Sequence, residues 1–228
     1  MWRRTNITVV SAATSQDLVT LAIARDELDN PPIARNARLA RYITEASADA
    51  ASYCARVFMA ETVAEEFRED GPSTVWQGFA QYVGFPADGA ALARQGDPIV
   101  LERFPVISVI SVVEDGVTLT AGTDFLVDKR LGFLRRLYGD VERSWTFQKL
   151  TVTYRGGFEA GAVPADLQGA VLRLLTARWR SRGRDPALRS QNVPGVLEQS
   201  WWVGAIGEDG AMPPEVAGRL DLYREARV

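Results

Sequence analysis

The chain has 228 residues, 46% hydrophobic and 24% charged, which is ordinary globular usage with room for one sizeable domain or two small ones. A formal charge of -3 argues against charge-driven coating of nucleic acid, the lack of any histidine removes the usual general base and the commonest metal ligand, and the single Cys54 excludes an internal disulfide. No stretch approaches the roughly 20 apolar residues of a membrane span. The opening MWRRTNITVV holds too short an apolar run for a signal peptide, so the protein is expected to be made in the cytosol.

In chain order, Ile7 to Val10 reads as a first short strand. Thr14-Ser15-Gln16-Asp17 has the spacing of a capping box, which predicts a helix over 14–29 with Leu18, Leu21, Ala22, Arg25 and Leu28 at helical spacing. Pro31 and Pro32 end it. A second helix is predicted over 34–58 from the stripe Leu39, Ile43, Ala46, Ala50, Tyr53, Cys54 and Val57, and the two are expected to form an antiparallel pair resting on a sheet. Thr62 to Phe67 reads as a strand, while the region from Ser73 to Pro98, with Trp76, Phe79, Tyr82 and Phe85, has no clear period.

The most legible part is Ile99 to Arg136, where β-prone runs alternate with turn residues and predict an antiparallel meander. Val106 to Val113 is apolar on both faces, Ile107, Val109 and Val113 pointing one way and Val106, Ile110 and Val112 the other. Asp115-Gly116 is the dipeptide of a two-residue type I′ hairpin turn. Strands follow at Val117 to Leu119, Phe125 to Val127 and Phe133 to Arg136, then a loop from Tyr138 to Gln148, then a half-buried strand with Leu150, Val152 and Tyr154 inward. Val163-Pro164-Ala165-Asp166 opens a helix over 164–182, whose end carries Arg173, Arg178, Arg180, Arg182 and Arg184. The expected class is therefore α+β: a body over 1–184, with strands between about 62 and 155, and an extended C-terminal tail over 185–228 ending in a short helix at 214–224.

Chemistry is hard to find in this chain. Cys54 lies on an apolar helical stripe and reads as a buried thiol. Asp115, Asp124 and Asp128 could suggest paired carboxylates or calcium, but all three fall in turns, where aspartate bonds its own backbone. Asp124 with Glu102 is the one glycosidase-like pair to weigh. The acidic run Glu65-Glu66 with Glu69-Asp70 reads as solvated. Arg173, Arg180 and Arg184 can be read as DNA-channel or subunit contacts, or more simply as cations stabilising a helix C-terminus. Trp201, Trp202, Val203 and Ile206, then Val216, Leu220 and Tyr223, give the tail more apolar surface than a free tail should expose, so it is expected to dock on its own body or on another chain. An alternative use for Trp76, Trp201 and Trp202 is as stacking platforms in a carbohydrate-binding module.

The succession LERFPVISVISVVEDGVTL, TDFLVDKRLGFLRR, LTVTYRGGF, VPADLQGAVLRLLTARW and PPEVAGRLDLYREARV resembles the head-tail connector proteins of tailed bacteriophages and gene transfer agents, over most of the chain and in the same order. The region 73–98 is longer than in minimal members. The resemblance implies a structural, non-enzymatic virion protein without cofactor or metal, located at the head-tail junction. It implies a twelvefold ring that docks on the portal, extends the DNA channel without reading sequence, and offers its lower face to a stopper or tail protein. The tail residues Trp201, Trp202, Val203, Ile206, Val216, Leu220 and Tyr223 would then bind the portal. Because the longer helices and the meander precede that point, deleting the chain after Asp185 is expected to leave a folded, soluble protein that fails to bind the portal.

Overall fold

The computed structural model describes residues 2–69, 98–182, 190–193, 197–200 and 212–224. The chain forms two compact units, one from Met1–Ala13 with Ala60–Phe158 and the other from Thr14–Met59 with Glu159–Val228.

Among the described residues the first unit is built of strands alone. Its larger sheet joins β1 (Trp2–Ser11), β2 (Glu61–Glu69), β4 (Val106–Glu114), β5 (Val117–Thr118) and β9 (Lys149–Gly156) in the order β1-β2-β9-β4-β5. The smaller sheet joins β3 (Ile99–Val100), β6 (Phe125–Asp128) and β7 (Phe133–Tyr138) in the order β3-β7-β6, with β8 (Val141–Arg143) also on β7. All of these ladders are antiparallel. The expected single meander is thus divided: the β4–β5 hairpin belongs to one sheet and the β6–β7 hairpin to the other. The division falls at Thr120–Asp124, where Gly122 takes a φ of +81°, its N–H donates to Phe125 O at 2.9 Å and the Asp124 N–H donates to Thr120 O at 2.8 Å. The hairpin turn itself is as read, with φ of +47° at Asp115 and +88° at Gly116, the signs a type I′ turn needs.

The core of this unit lies between the sheets. Val63, Phe67, Val112, Leu150, Val152 and Tyr154 from the larger sheet meet Ile99, Phe125 and Leu134 from the smaller and Leu101 just after β3. Strand β9 alternates as expected, with Leu150, Val152 and Tyr154 inward. Strand β4 does not, because its register shifts between Val106 and Ser108 and again between Val109 and Ser111. An extra residue at a bulge leaves the ladder and turns its side chain away, and Ile110 is 62% exposed as a result. The stretch read as a loop before β9 holds β8 and two core aromatics, Trp145 and Phe147, packed edge to face with ring centroids 5.8 Å apart.

The second unit holds the helices α1 (Leu21–Glu27), α2 (Asn36–Cys54), α3 (Ala165–Ser181) and α4 (Pro214–Leu220), with a short hairpin of β10 (Ser190–Val193) and β11 (Leu197–Ser200). Helix α1 starts later than 14. The Ser15 hydroxyl accepts from the Asp17 N–H at 3.1 Å in a local turn, Leu18 and Val19 are buried before any helix begins, and Thr20 is the residue that caps α1 by accepting from the Ile23 N–H at 3.3 Å. Helix α2 buries Leu39, Ile43, Ala46, Ala50 and Cys54, as its period requires, and stops at Ala55, which takes a left-handed φ of +54°. Helix α3 packs on α2, and α4 packs on both α3 and α2. The short helix expected within 214–224 is present as α4, and the β10–β11 hairpin is an element the sequence reading did not anticipate.

Candidate assembly surfaces

The short terminal helix docks on its own unit. Val216 is 1% exposed and Leu220 fully buried. Tyr223, half-buried, donates to Asp166 Oδ1 at 2.6 Å and packs edge-on to Phe58 with centroids 6.1 Å apart. Tyr53 donates to Asp221 Oδ1 at 2.8 Å, and Arg173 Nη1 lies 3.3 Å from Glu215 Oε2. The Cys54 thiol donates to the Leu220 carbonyl at 3.4 Å; burial pushes its pKa up to about 11, despite the opposing pull of Arg56 and Arg224. Burial and the bond to Asp166 likewise raise the Tyr223 phenol above its ordinary value. Of the candidate docking residues, Val216, Leu220 and Tyr223 are thus placed inside the helical unit. Trp201, Trp202, Val203, Ile206, Arg184 and Trp76 lie outside the described residues.

Among the candidate arginines, Arg173 meets Glu215 and Arg180 is exposed near the end of α3. Arg178 is bound by Asp49. The sequence alone does not bring Arg182 together with Arg35 and Arg38, yet the three line an open groove of about 630 Å³ with Ala34 and Ala37. The Arg182 guanidinium is held over the Trp179 ring, 4.2 Å from its centroid.

The sheet unit carries a buried ionic network. Glu65 is fully buried, which corrects the reading of its acidic run as solvated: strand alternation sets it on the inward side of β2 beside Val63 and Phe67. Its Oε2 accepts from Arg4 Nε at 2.7 Å, and its Oε1 accepts from the Tyr154 hydroxyl and from the Glu102 N–H, the latter at 2.9 Å. The Arg103 N–H donates to the Tyr154 oxygen at 2.8 Å, Arg103 Nε donates to Glu61 at 2.7 Å, and its Nη1 bonds Glu102. Burial alone would lower the Arg103 pKa, but Glu61 and Glu102 more than offset it and raise it. Desolvation, together with Glu65, raises the Tyr154 phenol above its ordinary value. Gly156 is needed beside this network, since a Cβ there would lie 2.1 Å from the Arg103 carbonyl oxygen. Glu66, its neighbour on the outer face, is held below the usual carboxylate range by bonds from Lys149 and Arg68.

The glycosidase-like pair finds both members otherwise engaged. The Glu102 carboxylate is bound by Arg4 and Arg103. The Asp124 carboxylate accepts from the Thr120 N–H at 2.8 Å and lies 3.6 Å from Arg136 Nη1. Asp128 accepts from the Arg130 and Leu131 amides, and Asp115 from those of Gln148 and Lys149, so all three turn aspartates do bond backbone. The open surfaces are instead strand edges and single apolar residues: β1 and β5 bound the larger sheet, and Val9, Val10, Ile110 and Val117 are exposed.

Comparison with protein-family models gives no match, and comparison with curated proteins gives none either. Solved structures do match, across almost the whole chain. A chain from the virion of a native gene transfer agent particle is 16% identical with a TM-score of 0.55, the alignment covering 98% of this chain and 97% of that one. Chains from the neck of an empty gene transfer agent particle solved with C6 symmetry and from the neck of a native particle solved with C12 symmetry are each 19% identical with a TM-score of 0.53, at the same coverage. At these identities the shared property is the fold.

Proposed function

We propose that the chain is a structural protein of a virion neck: a head-tail adaptor that forms a ring on the portal, continues the DNA channel and receives a stopper or tail protein below. The observation that carries this reading is the end-to-end match of both units, together and in one alignment, to neck chains of gene transfer agent particles. A ring of twelve copies accords with the C12 symmetry of one of those necks. The engagement of Glu102 and Asp124 by arginines and backbone supports a mechanical role over a catalytic one. In this reading DNA slides past an acidic protein without being read, and the C-terminal segment around Trp201, Trp202, Val203 and Ile206 supplies the contact with the portal.

The test is the mass of the assembly, by native mass spectrometry, with and without the portal protein of the same agent. A twelvefold ring, free or on the portal, is the expected result. A persistent monomer that ignores the portal overturns the proposal and moves attention to glycan binding by the tryptophans.

A further inference from the structure

The β10–β11 hairpin is a sheet of its own, with four residues in each strand and no third strand among the described residues. A lone two-stranded ribbon is marginal in water, and among the described residues nothing pairs with the outer edges of this one, which a third strand could join. Among the described residues the larger sheet of the other unit ends on β1, which pairs there with β2 alone. Among the described residues no further backbone hydrogen bond reaches β1 from its outer side. The two register shifts in β1 leave Asn6 to Val9 as its longest unbroken run, four residues, which is the length of a hairpin strand. At its end stand Val9 and Val10, 47% and 60% exposed, apolar surface that a single copy leaves in water. The opposite edge of that sheet, β5, offers only two residues.

We infer that the β10–β11 hairpin of one copy adds to the Asn6–Val9 edge of β1 on a second copy. The inference rests on the ring reading above and specifies its joint. Every copy carries both a donor hairpin and an acceptor edge, and these are different surfaces. Such a contact is heterologous, and repeated by rotation it closes into a ring, whereas a self-complementary patch would stop at a dimer. Main-chain pairing of this kind supplies affinity through the ladder, and exposed side chains beside it, here Val9 and Val10, supply selectivity.

The experiment uses the full chain, with its portal where the ring needs one, carrying Thr8→Cys together with either Gln191→Cys or Gln199→Cys. Directly opposed residues in an antiparallel ladder have Cα atoms within disulfide reach, and the buried Cys54 stays out of the reaction. Mild oxidation is expected to give a covalent ladder of multimers on a denaturing gel for at least one double variant and for neither set of single variants. A second arm replaces Gln191 or Gln199 by proline, which removes a ladder donor; ring mass is expected to be lost while the melting of both units is kept. A ring of the expected mass without a ladder, or one that survives both prolines, overturns this joint and leaves the ring reading standing. A disulfide within one monomer overturns it in favour of pairing inside the chain. A monomer without any cross-link, with or without portal, overturns both the joint and the ring.

Discussion

At the scale of single residues, the Tyr154 hydroxyl is the hinge of the buried network, donating to Glu65 and accepting from the Arg103 amide. Tyr154→Phe keeps the ring and its packing but leaves a buried carboxylate one donor short and a buried N–H without an acceptor. Such orphaned groups cost about 1–3 kcal/mol, so the sheet unit is expected to unfold at lower urea by that amount, with an unchanged slope. A loss below about 0.5 kcal/mol would show that water replaces the hydroxyl. The inward placement of Tyr154 was legible in the alternation of Leu150, Val152 and Tyr154. Its partner was not, because Glu65 lies 89 positions away; alternation with Val63 and Phe67 sets that glutamate inward, but no local pattern says which group answers its charge. The same limit hid Arg103 and Glu61, which pair across 42 positions. The turn aspartates were legible because their partners lie mostly within the same turn, as Asp128 with Arg130 and Leu131 shows.

At the scale of elements, α2 and α3 were readable because each is long enough for a 3.6-residue period to repeat. Helix α1, with only Leu21–Glu27, is too short for that, and a serine turn imitated its cap. The β6–β7 pair was found correctly but assigned to the wrong sheet, since hairpin pairing is local and sheet membership is not. Helix α4 shows what a sequence cannot reveal about a short apolar stripe, namely whether it is core or bait. Leu220 is fully buried and its carbonyl receives the Cys54 thiol. Leu220→Ala is expected to cost the helical unit about 2–5 kcal/mol, the range for emptying a leucine site, and to speed maleimide labelling of Cys54 at least in proportion to the lost protection. Removal of the chain after Asp185 should for the same reason weaken that unit instead of leaving it intact. Unaltered melting and labelling of Leu220→Ala would mean that α4 contributes nothing to the core.

At the scale of the whole molecule, both units bury groups whose neutral form is the native one. The pKa values of Cys54 and Tyr223 in the helical unit and of Tyr154 in the sheet unit are raised on folding. A group with a raised native pKa contributes stability that is complete below its unfolded value and is lost as the pH climbs toward the native one. The unfolded values are 9.0 for the thiol and 10.0 for the phenols. Thermal stability should therefore hold to about pH 9 and then fall with rising pH, and Cys54→Ser with Tyr223→Phe should flatten the fall in the helical unit only. A melting temperature unchanged through about pH 10.5 would contradict this. The path of the chain between the units has a different kind of consequence. Segment Thr14–Met59 is an insertion between β1 and β2, so the pairing of those strands must close a long loop when that segment is unfolded. Once the inserted helices have folded, the loop is already short. Each unit thus lowers the entropic barrier to completing the other, and neither core is complete until late in synthesis: β9 comes after residue 148 and α4 after residue 213. The sheet unit has all of its strands once Phe158 has been made, whereas the helical unit still waits for α4, so the two cores become complete at different points along the growing chain.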